Sequence, residues 1–252
     1  MIEVIIAVDL GHGVNPDRGA IGNIAEEKII DEVGTKVIAK LRALGHTVVE
    51  LRPSSASSVN NSLTQRYTKA NNNGVDMCVS IHANAGGGVG TEVFTYNAKE
   101  VPQARAVLNN ICALGFRNRG IKDGSGLAMV KRPGATAMLI EVCFVDTQSD
   151  VNLYYNVGAE KIANAIVEGL TGQKVTSSSS EKKCYVVTDY LPNAYDGYDG
   201  VDINYVLSYF KGVKCYVRGN DKGIWIETEF ITKEKANELK NTLGSWFYEI
   251  KE

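Results

Sequence analysis

The chain has 252 residues, is 44% hydrophobic and 22% charged, and carries a formal net charge of −2. That is enough for one large domain or for a medium domain plus a small one, and it gives no global basic field to gather nucleic acid or an anionic membrane. The five cysteines, Cys78, Cys112, Cys143, Cys184 and Cys215, are scattered without a CxxC pair, which indicates neither a disulfide framework nor a thiolate zinc knuckle.

The opening MIEVIIAVDLGHG lacks a basic n-region and a small-residue cleavage site, and its apolar run is too short to span a bilayer. The expectation is synthesis in the cytoplasm without a signal peptide, with separate means of release if the protein acts outside. EVIIAV is a β-branched run closed by Asp9, Gly11 and Gly13, the pattern of a buried strand feeding a loop. Ile29, Ile30, Val33, Val37, Ile38 and Leu41 follow at helical spacing up to Gly45. Next come a strand HTVVELR, a helix from Ser62 to Gly74, and a third strand DMCVSI. Beyond the glycines at 86–88 the pattern predicts a strand TEVFTY, a helix over 101–116, a strand GLAMV, an apolar strand TAMLIEVCF and a helical pair from Asp146 to Leu170. Strands alternating with helices argue for an α/β fold, a mostly parallel central sheet flanked by helices. Such sheets carry their sites at the carboxyl ends of the strands.

TGQKVTSSSSEKK changes the texture to small and polar, the composition of a linker. Residues 1–172 are therefore expected as a first domain, 173–182 as a linker and 183–252 as a second. The last segment reads strand, helix, strand, strand, helix, strand, the βαββαβ order of a small ferredoxin-like α+β domain. Its aromatics Tyr190, Tyr195, Tyr198, Tyr205 and Trp225 are read first as its core and alternatively as stacking platforms for sugars.

Three histidines are present, and their places carry the chemistry. His12, in DLGHG, and His82, in SIHAN, stand at the carboxyl ends of the first and third predicted strands, which face one crevice. Glu27 opens the first long helix after a loop of small and polar residues, so its carboxylate can reach the same edge; Glu26 stands beside it, and spacing alone leaves both open as helix-start acids. Two imidazoles and one carboxylate with a free fourth position form a catalytic zinc arrangement. His46 follows the helix-ending Gly45 at the opposite sheet edge and reads as a turn residue. Glu141 is a carboxylate within an apolar strand, where an unpaired charge is costly, and is the candidate general base for a metal-activated water. Asn84 and the glycines after it are expected to border the substrate groove.

DLGHG, EEKIIDEVGTKVIAKLRALGHTVVELR, SLTQRYTKANNNGVDMCVSIHANAGGGVGTEVFTY and NRGIKDGSGLAMVKRPGATAMLIEVCFVD together resemble, in order and spacing, the zinc-dependent N-acetylmuramoyl-L-alanine amidases of the type-3 class over about residues 2–171. The resemblance implies hydrolysis of the amide between N-acetylmuramic acid and the first L-alanine of the peptidoglycan stem, with one Zn2+ per chain. It places the metal ligands on His12, Glu27 and His82, choosing the glutamate just before Lys28, and the catalytic glutamate on Glu141. Val142-Cys143-Phe144-Val145-Asp146 departs from the Gly-Phe and Ser-Asn that commonly follow that glutamate, which bears on pocket shape. WIETEFITKEKANELKNTLGSWFYEI resembles half of a sporulation-related peptidoglycan-binding repeat, implying that the second domain binds cell-wall glycan. The expected role is a phage or prophage endolysin; the alternatives are a sporulation autolysin with the same reaction and a zinc carboxypeptidase acting on wall peptides.

Overall fold

The computed structural model describes residues 4–175, 184–191 and 202–252, and the chain divides into two compact units, Met1–Val175 and Thr176–Glu252. Most of the expected linker, together with Tyr195 and Tyr198, lies outside the described residues.

The first unit contains β1 (Ile5–Leu10), α1 (Glu26–Ala43), β2 (Thr47–Glu50), α2 (Val59–Asn72), β3 (Met77–Asn84), β4 (Thr91–Thr95), α3 (Pro102–Ala113), β5 (Asn118–Asp123), α4 (Ala128–Lys131), β6 (Thr136–Phe144), α5 (Gln148–Val157) and α6 (Ala159–Thr171). The strands form one sheet in the order β2-β1-β3-β6-β4-β5, parallel at every pairing except β4 with β6. The fold is thus the expected α/β architecture with a mostly parallel sheet.

Strand alternation sorts side chains between the two faces. Ile6, Val8 and Leu10 of β1 and Val79, Ile81 and Ala83 of β3 pack with the apolar stripe of α1 and with α3 and α6. Ala7 and Cys78 turn the other way, against Ala70 of α2 and Met129 of α4. Gly169 lets α6 lie directly on α3: a Cβ there would sit 2.5 Å from the Val107 nitrogen. All five cysteines are free, with Cys78, Cys143 and Cys184 buried.

Two local expectations fail for physical reasons. The run 126–130 is a strand by composition, yet Ala128–Lys131 forms the short helix α4, which buries Met129 and Val130. The edge strand is instead Asn118–Asp123, whose sequence NRGIKD holds a single large apolar residue; pairing with β4 imposes its conformation, since strand formation depends on neighbours more than on propensity.

The face shared by Ala7 and Cys78 also carries Asp9 and Ser80, cross-strand partners joined by a 2.6 Å hydrogen bond from Ser80 Oγ to Asp9 Oδ2. Over them lies Arg66 of α2, 1% exposed. It donates to Asp9 Oδ1 at 2.6 Å, to the carbonyls of Leu10 and His12 at 2.7 Å each, and to Ser62 Oγ at 3.1 Å. Its Nη2 lies 3.4 Å from Asp17 Oδ2.

The second unit contains β7 (Tyr185–Thr188), α7 (Ile203–Leu207), β8 (Cys215–Asn220), β9 (Gly223–Thr228), α8 (Lys233–Leu243) and β10 (Phe247–Lys251). Its strands order as β10-β7-β9-β8, all antiparallel, which is the split βαββαβ arrangement expected from the sequence. Its core is mainly aliphatic, with Val186, Leu191, Val206, Ile226, Leu239 and Leu243 around Phe210. Tyr190 and Tyr205 are exposed, contrary to the reading of those aromatics as core.

Removing Arg66 leaves two buried carboxylates without their cation. Arg66→Met is expected to lower unfolding stability by about 3–5 kcal/mol in urea denaturation; a loss under about 1 kcal/mol would show that Asp9 and Asp17 do not depend on it.

Candidate metal centre and its neighbouring carboxylates

His12 lies two residues past the end of β1, and its backbone has a left-handed φ of 52°, costly for a residue with a Cβ. Two arginines hold it there. Arg52 donates to the carbonyls of Leu10 at 3.0 Å and Gly11 at 2.9 Å, while Arg66 binds those of Leu10 and His12. The turn aims the imidazole at His82 of β3, with ring centroids 4.9 Å apart and planes at 84°. Gly11 makes the approach possible, since a Cβ on it would lie 2.3 Å from His82 Cε1.

The acid between the two rings is Glu26. Its Oε1 lies 3.6 Å from His12 Nε2 and 3.0 Å from His82 Nδ1, and His12, Glu26 and His82 offer ligand atoms all within 4.8 Å of one another. Glu27, the expected ligand, is turned away: Arg18 grips it through two hydrogen bonds of 2.6 Å, and the Gly19 amide donates to it at 3.1 Å. Helix geometry explains the difference in placement. Glu26 shares the buried stripe of Ile29, Ile30 and Val33, three, four and seven residues on, whereas one further residue rotates the side chain by about 100° to the rim. That periodicity was legible in the sequence.

The donor set suits a metal ion. Two imidazole nitrogens and a carboxylate oxygen, all within 4.8 Å of one another, are the donor types that hold zinc. His12 Nδ1 pairs with Asp17 Oδ1 at 2.8 Å, freeing Nε2 for a metal, and Asp17 Oδ2 accepts from Ser62 Oγ at 2.7 Å. A carboxylate that orients a ligating imidazole is the usual outer support of such sites. Neither Asp17 nor Arg66 was singled out from the sequence, because their roles depend on contacts across the fold.

Electrostatics tie the group together. Burial works against ionisation of Glu26, but His82, the Ala20 amide and His12 override it and hold this carboxyl below its ordinary range. Burial likewise opposes charge on His82, yet the bond to Glu26 and the charges of Glu141, Glu26 and Asp9 raise its pKa.

Glu141 of β6 is directly paired with His82 in the sheet. Its Oε2 is buried without a hydrogen-bond partner. Burial pushes the carboxyl up to about 8, with the charges of Glu26 and Glu92 adding and that of His82 opposing. Asn84 is committed within the protein: its Nδ2 donates to Glu92 Oε1 at 2.8 Å and its Oδ1 accepts from the Ala85 amide at 2.8 Å. The glycine loop is also anchored, with the Gly86 and Gly87 amides donating to Asp146 Oδ2 at 2.7 and 2.9 Å. His46 stays out of the group and contacts Gln173 at 3.1 Å.

Comparison with known proteins falls on this unit. The family described as N-acetylmuramoyl-L-alanine amidase matches residues 6–172. The sporulation-specific N-acetylmuramoyl-L-alanine amidase of Bacillus subtilis (strain 168) is 32% identical over 191 residues, 73% of this chain and 74% of that protein. An uncharacterized protein of Clostridium perfringens is 29% identical over 178 residues, 68% of this chain, and the match spans only about half of it, 52%. Among solved structures, the catalytic domain of an endolysin targeting Clostridia difficile aligns with a TM-score of 0.62 at 26% identity, covering 69% of this chain and 100% of that domain.

Glu26→Ala is expected to lower zinc affinity by at least about tenfold, while Glu27→Ala retains it, as read from metal content after dialysis against buffered zinc. The reverse pattern would return the ligand to Glu27.

Proposed function

The chain belongs to the N-acetylmuramoyl-L-alanine amidase family, and from that premise we propose that it hydrolyses the amide between the lactyl carbonyl of N-acetylmuramic acid and the nitrogen of L-alanine in peptidoglycan. The observation that carries this reading is the group His12, Glu26 and His82 with the unpartnered carboxylate of Glu141 on the adjoining strand. His12, Glu26 and His82 would hold one Zn2+. Zinc bound there would supply Lewis acidity toward a carbonyl oxygen and a lowered pKa for water.

Glu141 performs the proton transfers. Its carboxylate takes a proton from the attacking water as the new C–O bond forms, then returns it to the alanine nitrogen as the C–N bond breaks. A base with no hydrogen-bond donor occupying its oxygen is free to do so. Asp17 keeps His12 in the required tautomer, and Arg66 and Arg52 fix the turn that presents it. Asn84, committed to Glu92 and its own loop, shapes the groove wall more than it offers a free contact to substrate.

The second unit binds cell-wall glycan. Exposed Tyr190 meets Trp225 edge to face at 5.8 Å, a platform on which sugar rings can stack, and linking such a module to the hydrolytic unit raises local enzyme concentration on an insoluble polymer. The biological role is wall lysis by an endolysin, made in the cytoplasm and acting after release. The likeness to the sporulation-specific amidase supports a second reading, an autolysin of sporulating cells with the same reaction.

Mass analysis of digested walls tests the reaction: amidase action liberates stem peptides with an L-alanine amino terminus, whereas stems that are only shortened would establish a carboxypeptidase. Glu141→Gln is expected to retain about one zinc per chain and to lose at least about a hundredfold in turnover; unaltered turnover would remove Glu141 as base. Without metal the same substitution stabilises. The unfolded chain ionises Glu141 near 4.5 and the fold only near about 8, so wild-type stability falls as pH rises through that window. The Tm advantage of Glu141→Gln should therefore grow between these pH values, and a constant difference would contradict the buried, unpaired carboxyl.

A further inference from the structure

Beyond Glu141 the charged row continues. His82 on β3 pairs with Glu141 on β6, and Glu141 pairs with Glu92 on β4, so the three side chains leave one sheet face with Cβ atoms about 5 Å apart. Glu92 is only 4% exposed. Its Oε1 accepts from Asn84 and its Oε2 accepts from Arg119 Nε at 2.8 Å. Arg119 belongs to β5, the edge strand beside β4.

The Arg119 guanidinium is fixed from a second side. It lies over the Phe144 ring at 4.8 Å. That ring is itself held: a Cβ on Gly88 would be 2.3 Å from its edge, and the Phe144 amide donates to Asp150 Oδ2 at 2.9 Å. The other arginines around the centre spend their terminal nitrogens inside the protein, Arg66 on Asp9, Asp17 and two carbonyls, Arg52 on Asp31 and a carbonyl, and Arg18 on Glu27. Arg119 differs. Its terminal nitrogens have no partner among the described residues, and its side chain stays 31% exposed.

A guanidinium whose Nε is used for orientation and whose terminal edge is open is prepared for a planar anion. Adjacent strands are about 4.8 Å apart, which puts β5 about two strand spacings from Glu141, with the arginine reaching back across one of them. An extended peptide advances about 3.3–3.6 Å per residue, so the residue after the alanine falls within its reach. We propose that Arg119, positioned by Glu92 and Phe144, is a specificity-determining residue that binds a carboxylate on the second residue of the stem peptide. This rests on the amidase reading and adds to it the charge state of the substrate.

The test uses the full chain loaded with zinc and two synthetic substrates, muramoyl-L-alanyl-D-glutamate with a free α-carboxylate and its α-amide. Wild type is expected to favour the free acid at least about tenfold in kcat/KM, mainly through KM, in line with sites built to pair a polar group. In Arg119→Gln the ratio falls to about one, and Arg119→Lys, which keeps the charge without the planar fork, retains part of it. Because the readout is a ratio, a general loss of activity from loosening Glu92 does not imitate the result. Equal cleavage of both substrates by wild type, or a ratio unchanged in both variants, overturns the assignment while leaving the amidase reading intact. Cleavage of neither by wild type overturns both.

Discussion

The buried guanidinium of Arg66 is the interaction on which the remaining site geometry rests. It joins Asp9 on β1 to Asp17 in the following loop and binds two of the carbonyls on the way into the His12 turn. A charge removed from water in this manner is tolerated only when its hydrogen-bonding groups are met, and here every nitrogen of the guanidinium has a partner. The arrangement converts the end of a plain apolar strand into a defined left-handed turn. From that turn follow the direction of the His12 imidazole, the position of Asp17 behind it and the approach to His82 past Gly11.

Three glutamates within one region are handled differently, and the differences divide the chemistry. Glu26 sits among imidazoles and amide donors that stabilise its charge. Glu92 is buried too, but Asn84 and Arg119 satisfy it. Glu141 is left with an unmatched oxygen, and its proton is held up to about 8. An acid of that kind is costly to the fold and suited to accepting and giving back a proton, a trade between stability and activity expected where chemistry is done. A positive ion at the neighbouring imidazoles would shift that balance toward the ionised base.

Much of this was readable from residue order. The β-branched runs ending in His12 and His82 specify two parallel strands and a shared edge, and the α1 stripe from Ile29 to Leu41 specifies the helix beneath them. The same stripe distinguishes the placement of Glu26 from that of Glu27, because the buried face of a helix can be extended one turn toward its start. The β5 strand was not readable, since NRGIKD owes its conformation to β4. Nor were Asp17, Arg66, Glu92 and Arg119: a polar residue reveals a long-range partner only after the chain has folded, and nothing in local spacing separates these four from solvated surface groups.

The central claim is that His12, Glu26 and His82 meet around one divalent ion beside Glu141. Anomalous diffraction at the zinc edge from crystals of the zinc-loaded protein tests it most directly. The account predicts a single strong peak bounded by His12 Nε2, Glu26 Oε1 and His82 Nδ1, with Glu27 remaining on Arg18. A peak coordinated by Glu27, or one placed away from the two histidines, would contradict it.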